Sequence, residues 1–167
     1  VAFVLRSSPH LKDPVNTTVI MRNVVYALLP VVAFCVYNFG LSGLLLTVVA
    51  TGACVLTEHL FCALGKRQTT VSDWSAVITG ILLALTLPPG FPLWLAAVGG
   101  FVSIALGKTL FGGLGFNIFN PALVGRAFLQ ATFPTAITTW APGMAPGRFT
   151  NVFPGSLAMP FMQPDST

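Results

Sequence analysis

Two long apolar stretches, Val19–Tyr37 and Leu44–Leu64, constrain this chain more than any other feature. Only the short uncharged run Asn38-Phe39-Gly40-Leu41-Ser42-Gly43 separates them. Each approaches the roughly 20 apolar residues that cross a hydrocarbon core as a helix. Arg22 sits one turn into the first and can reach the interface along its aliphatic stem. Pro30 is expected to kink that helix, which neighbours and water tolerate in a membrane. The second carries the small residues Ala50, Gly52 and Ala53, which permit close helix approach, and also Glu58 and His59.

Composition leads the same way. Of 167 residues 54% are hydrophobic and only 7% charged, and the mean hydropathy is +0.84. Soluble domains carry about 25% charged residues, so too few are present here to coat a water-facing surface. The expected class is an all-α polytopic membrane protein, in contact with the lipid bilayer. The net charge of +4 is then a topology signal. Basic residues form no stripe interleaved with aromatics, which excludes a nucleic-acid partner. Cys35, Cys54 and Cys62 all lie in apolar runs without a CxxC spacing. They read as small buried hydrophobes, or as thiolates offered to an iron–sulfur centre shared with another subunit. The chain opens without Met, and its first apolar run, VAFVL, is too short for a signal-peptide core. It reads as a segment of a longer protein.

Residues 1–18 form a polar arm that includes Arg6, His10, Lys12 and Asp13. A third helix is expected from Asp73 or Trp74, with Asp73 as its cap, to Leu87 before Pro88-Pro89-Gly90. At 1.5 Å per residue it reaches only about 21 Å, short of the roughly 30 Å core. A fourth runs from Pro92 to Leu110, with Gly99, Gly100 and Gly107 offering a smooth packing face. A fifth begins at Asn120-Pro121, a good N-cap followed by proline at the first helical position, and stops at Pro134 after Phe133. The predicted organisation is a cytoplasmic arm over 1–18, a five-helix membrane domain over 19–133 and an extracytoplasmic Pro/Gly-rich loop over 134–167. With a cytoplasmic N-terminus, Arg6, Lys12, Arg22, Lys66, Arg67 and Lys108 all fall near one side, as the positive-inside rule requires.

The stretch from Lys108 to Phe133 concentrates chemistry. Gly112, Gly113 and Gly115 allow φ > 0 or close backbone approach. Asn117 and Asn120 bring amides that both donate and accept, suited to a heteroaromatic edge such as an isoalloxazine. The fifth helix adds free N–H groups and a positive dipole end. Arg126, one and a half turns into that helix, costs about 2.5–3.5 kcal/mol on insertion scales unless paired or hydrated. It either faces a polar cavity or satisfies carbonyls of a broken helix. The third and fifth helices are both short and bounded by Pro or Gly, a pattern that accompanies sites at membrane depth. Glu58 is a candidate for cation or proton binding, or the partner of a neighbouring basic residue. Nothing matches a P-loop, HExxH, GxSxG or dinucleotide fingerprint, so an independent hydrolase or soluble dehydrogenase is excluded.

The segments SSPH, MRNVVYALLP, DWSAVITGILLALTLPP and GKTLFGGLGFNIFNPALVGRAFL together resemble the NqrB/RnfD family over residues 1–140. The early SSPH favours the RnfD subunit of the Rnf electron-transport complex over NqrB of the sodium-pumping NADH:quinone oxidoreductase. The resemblance implies half of a ten-helix inverted-repeat fold, similar to urea transporters, in the bacterial inner membrane. It implies a flavin-carrying subunit of an ion-translocating ferredoxin:NAD oxidoreductase, not catalytic alone, that passes electrons between partners coupled to Na⁺ or H⁺ movement. Other membrane and peripheral subunits, including iron–sulfur and flavin proteins, are the implied partners. Asn117 and Asn120 match the two asparagines linked in the family to a non-covalent riboflavin, with Arg126 and Gly113 beside them as cofactor-binding candidates. Glu58 matches an acid linked to cation uptake. The family's covalent FMN sits on a threonine of an S-G-A-T-like motif, which this sequence lacks. Thr51-Gly52-Ala53-Cys54 ends in the wrong residue, and the threonine is expected beyond Thr167. Two other readings stand beside this one: a small-solute channel and a cofactor-free scaffold subunit.

Overall fold

The computed structural model describes residues 16–65, 73–113 and 115–158. The SSPH segment, His10, the basic loop at Lys66-Arg67 and Thr167 lie outside them.

Helix α1 spans Thr17–Phe39 and α2 spans Leu41–Leu64, with mean hydropathies of 2.1 and 1.7. Both are long and apolar enough to cross a membrane. The link expected over 38–43 is in fact Gly40 alone. Its φ of 64° is left-handed, and a Cβ there would run into the Arg148 backbone, so only glycine turns this corner. Pro30 lies inside α1, which continues through it as one helix.

Helix α3 spans Ser75–Leu85 and α4 spans Leu93–Ile104. Asp73 does not cap α3. That position is held by Trp74 at φ 62°, with no side-chain cap bond. The fourth helix also ends differently from expectation: Ala105–Thr109 is a π-helical turn, in which Leu110 N–H donates to Ala105 O. Helix α5 spans Pro121–Thr132, and the Asn120 carboxamide oxygen accepts from Ala122 N–H at 3.0 Å, as the Asn-Pro pair predicts. A short α6 covers Pro134–Thr138, and a 3₁₀ turn covers Pro154–Leu157.

Helix α2 packs chiefly on α3 and α4, and α5 lies on α4. Small residues set these approaches. A Cβ on Gly80 would strike the Thr51 Cα, and one on Gly125 would strike Ser103 Oγ. Leu46, Leu83, Phe91, Leu95 and Leu129 fill the centre. By contrast α1 exposes Ile20, Val24, Tyr26, Leu29, Val31, Phe34 and Tyr37. An apolar face of that extent suits lipid, which is as apolar as the side chains themselves.

Alternation of direction puts the start of α1, the end of α2, the start of α3, the π turn and the start of α5 at one end of the bundle. Residues 144–156 fasten the other end. Met144 N–H donates to Asn38 O, Arg148 Nε to Tyr37 O and Ser156 Oγ to Pro89 O. The Pro/Gly-rich segment is therefore partly a strap across the helix ends.

Candidate functional site

A cavity of about 390 Å³ opens at the first of these ends. Its apolar walls are Met21 of α1, Ile78 and Leu82 of α3, and Ile118, Phe119 and Pro121 before and at the start of α5. Its polar groups are Ser75, Thr79, Lys108, Asn117 and Asn120.

The Gly-rich bend leads into the wall formed by Asn117 to Pro121. Gly112, Gly113 and Gly115 have φ of 106°, 109° and 91°, the left-handed conformations expected of them. The chain turns there and returns through Asn117 and Asn120 to enter α5. Gly107 holds this return close, since a Cβ on it would lie 2.7 Å from Pro121 Cα. Asn117 Nδ2 donates to Phe119 O at 3.1 Å, which leaves its Oδ1 as an acceptor. Asn120 uses Oδ1 as the helix cap, which leaves Nδ2 as a donor. Both asparagines line the cavity, and the amide groups outside these bonds include one acceptor and one donor.

Glu58 and Lys108 form the second half of the site. Lys108 Nζ lies 2.5 Å from Glu58 Oε1 and donates to Ser75 Oγ at 2.5 Å. The side chains are 5% and 3% exposed for Lys108 and Glu58. Removing two charges from water is compensated only by close pairing and further hydrogen bonds, and Ser75 supplies one. Lys108 stands in the last turn of its helix, where the carbonyl end favours a cation. The π turn that carries it is a form often found at functional sites.

Sequence reasoning placed Asn117 and Asn120 together, and both line the cavity. Arg126 and Gly113 are not among its lining residues. Arg126 is half-buried on α5. Lys108, Ser75 and Met21 were not anticipated. Lys108 reads in sequence as a marker of the helix end, and it is instead buried and paired. Its one visible signal is that it lies within an otherwise apolar run. Cys54 is buried and its Sγ donates to Gly100 O, while Cys35 and Cys62 are half-buried and His59 is exposed. No cluster of three metal-ligating side chains occurs among the described residues.

A family model described as NQR2, RnfD, RnfE matches residues 4–163. The chain is 41% identical over 145 residues to the D component of the proton-translocating ferredoxin:NAD(+) oxidoreductase complex of Clostridium ljungdahlii, covering 87% of this chain and 44% of that protein. It is 47% identical over 135 residues to the D component of the Na(+)-translocating ferredoxin:NAD(+) oxidoreductase complex of Acetobacterium woodii, covering 81% and 42%. The D component of the ion-translocating oxidoreductase complex of Actinobacillus succinogenes is 36% identical over 161 residues, covering 95% and 45%. The chain spans less than half the length of these curated relatives.

Proposed function

This chain belongs to the NQR2, RnfD, RnfE family, and from that membership we propose that it forms part of the membrane subunit of an ion-translocating ferredoxin:NAD oxidoreductase and holds a non-covalent flavin in the cavity beside Asn117 and Asn120. One observation carries the flavin reading. Asn117 and Asn120 line the same cavity and hold one amide acceptor and one amide donor outside these bonds, complementary to the alternating N–H and C=O groups of an isoalloxazine edge.

The volume fits as well. Small-molecule pockets run from about 300 to 1,000 Å³, walled by apolar groups with a few polar groups for orientation. Phe119, Ile78 and Leu82 supply apolar surface for a ring system, and the asparagines orient its edge. A bound flavin supplies single-electron acceptance and donation between redox partners. The chain's own part is to bind the ring, fix its edge and keep a positive charge, Lys108, at the cavity wall.

Glu58 is proposed as the cation or proton site of the same subunit. It lies in α2 at the end of the bundle that holds the cavity, and its carboxylate shares a lysine with the cavity wall. The partners proposed for the whole protein are the iron–sulfur and flavin subunits that deliver and remove electrons. The inner membrane and a cytoplasmic N-terminus are proposed from the family and from the distribution of basic residues.

The test is the flavin content of the purified complex. Replacing both Asn117 and Asn120 with Leu should abolish the non-covalent flavin and leave any covalent flavin in place. Full retention of riboflavin in the double variant overturns the assignment.

A further inference from the structure

We propose that Ser75 donates a hydrogen bond to the cavity's occupant, with its hydroxyl polarised by the Lys108 ammonium. The proposal rests on the flavin reading above and deepens it, because it gives the ring a donor on α3 besides the asparagines.

Ser75 is the first residue of α3 and lines the cavity. It is 7% exposed, so protein packs around most of it. Its Oγ accepts from Lys108 Nζ at 2.5 Å. A serine hydroxyl has one proton to donate and two lone pairs with which to accept, whereas an ammonium has donors only. Lys108 therefore occupies a lone pair and cannot receive the Ser75 proton. The Ser75 side chain makes no other hydrogen bond among the described residues. That leaves a buried hydroxyl proton without an acceptor at the wall of a cavity. Such a donor is destabilising until it is paired, and the cavity is the space from which a partner can reach it.

The lysine makes this donor a strong one. A hydroxyl that accepts from a cation gives up electron density at its oxygen and donates more strongly in turn. Lys108 is meanwhile held by Glu58, so the hydroxyl passes on part of the effect of a positive charge while the ammonium keeps its carboxylate. Thr79, one turn further along α3, does not duplicate Ser75. Its Oγ1 already donates to Ser75 O at 2.9 Å.

The group that Ser75 would meet is a carbonyl oxygen or an unprotonated ring nitrogen. In a heteroaromatic redox ring these atoms gain electron density on reduction. A donor there stabilises the reduced ring more than the oxidised one and raises its midpoint. Ser75 stands on α3 and Asn120 at the entry to α5, so a ring held by both is fixed at two points on separate elements.

The experiment is carried out on the complete complex, wild type and S75A, by redox titration and infrared spectroscopy of the non-covalent flavin. S75A should bind that flavin about tenfold more weakly, as expected for one lost hydrogen bond. Its midpoint should become more negative, and one C=O or C=N stretching band of the ring should move while the others stay in place. Unchanged bands and midpoint with flavin bound would overturn the proposal and leave the flavin reading standing. A joint movement of all the bands would mean that Ser75 acts only by holding Lys108, and overturns it too. A wild-type complex without non-covalent flavin overturns both readings. Where S75A fails to assemble, S75C keeps the side-chain size with a weaker donor. It should show the same single-band movement to a smaller extent, and an unmoved band there overturns the proposal.

Discussion

Lys108 Nζ lies 2.5 Å from Glu58 Oε1 although fifty positions separate the residues. The pair ties the end of α2 to the π turn after α4, and Ser75 adds the start of α3. Three elements thus converge on one ammonium at the mouth of the bundle.

Breaking that pair from one side should be severe. Removing one partner of a buried ion pair costs about 3–5 kcal/mol, because the other charge stays buried without it. Unfolding in detergent should show a loss of that order for Lys108→Met. The double variant E58Q/K108M should lose clearly less than the sum of its single variants. Additive losses would mean that the two charges are not coupled.

Asn120 has two separable duties. Asn120→Ala removes the α5 cap and should cost about 1 kcal/mol. Asn120→Asp keeps a capping oxygen for Ala122 N–H and loses the Nδ2 donor. Its thermal stability should stay near wild type while retention of the non-covalent flavin falls. Flavin retention equal to wild type in Asn120→Asp would restrict Asn120 to capping.

Gly107 governs how closely the π turn approaches α5. A Cβ there would meet Pro121 Cα at 2.7 Å, a contact with backbone that has little room to yield. Gly107→Ala should destabilise by about 1–3 kcal/mol through overpacking. It should also weaken ligand retention, since Pro121 and Lys108 both line the cavity. A flavin-binding titration on the variant complex checks the second effect independently of the first.

Arg148 belongs to the opposite end. Its Nε donates to Tyr37 O at 2.9 Å, and its guanidinium lies 5.5 Å from the Tyr37 ring centroid and 4.9 Å from that of Phe149. Arg148→Ala should loosen the strap over 144–156 and speed its limited proteolysis. Flavin content should not change, because the cavity lies at the other end of the helices.

The helices were legible because their causes are local. Apolar runs of spanning length mark α1 and α2, Asn120-Pro121 marks the start of α5, and the glycines after Phe111 mark the bend. The misjudged features were those set by packing. Gly40 replaces a longer link because the Arg148 backbone closes against it. Trp74 and not Asp73 stands at the head of α3. The end of α4 winds as a π turn, and apolar composition carries no signal for that change of period.

By itself the sequence determined a helical, lipid-compatible chain, its family and the two asparagines at a glycine bend, since these depend on composition and short-range spacing. Only the tertiary structure decided where the charges go. Lys108 looks in sequence like a residue of the aqueous interface, and a lysine there needs no partner. Packing of α2, α3 and the π turn removes it from water, and a charge withdrawn from water requires an opposite one, which Glu58 supplies.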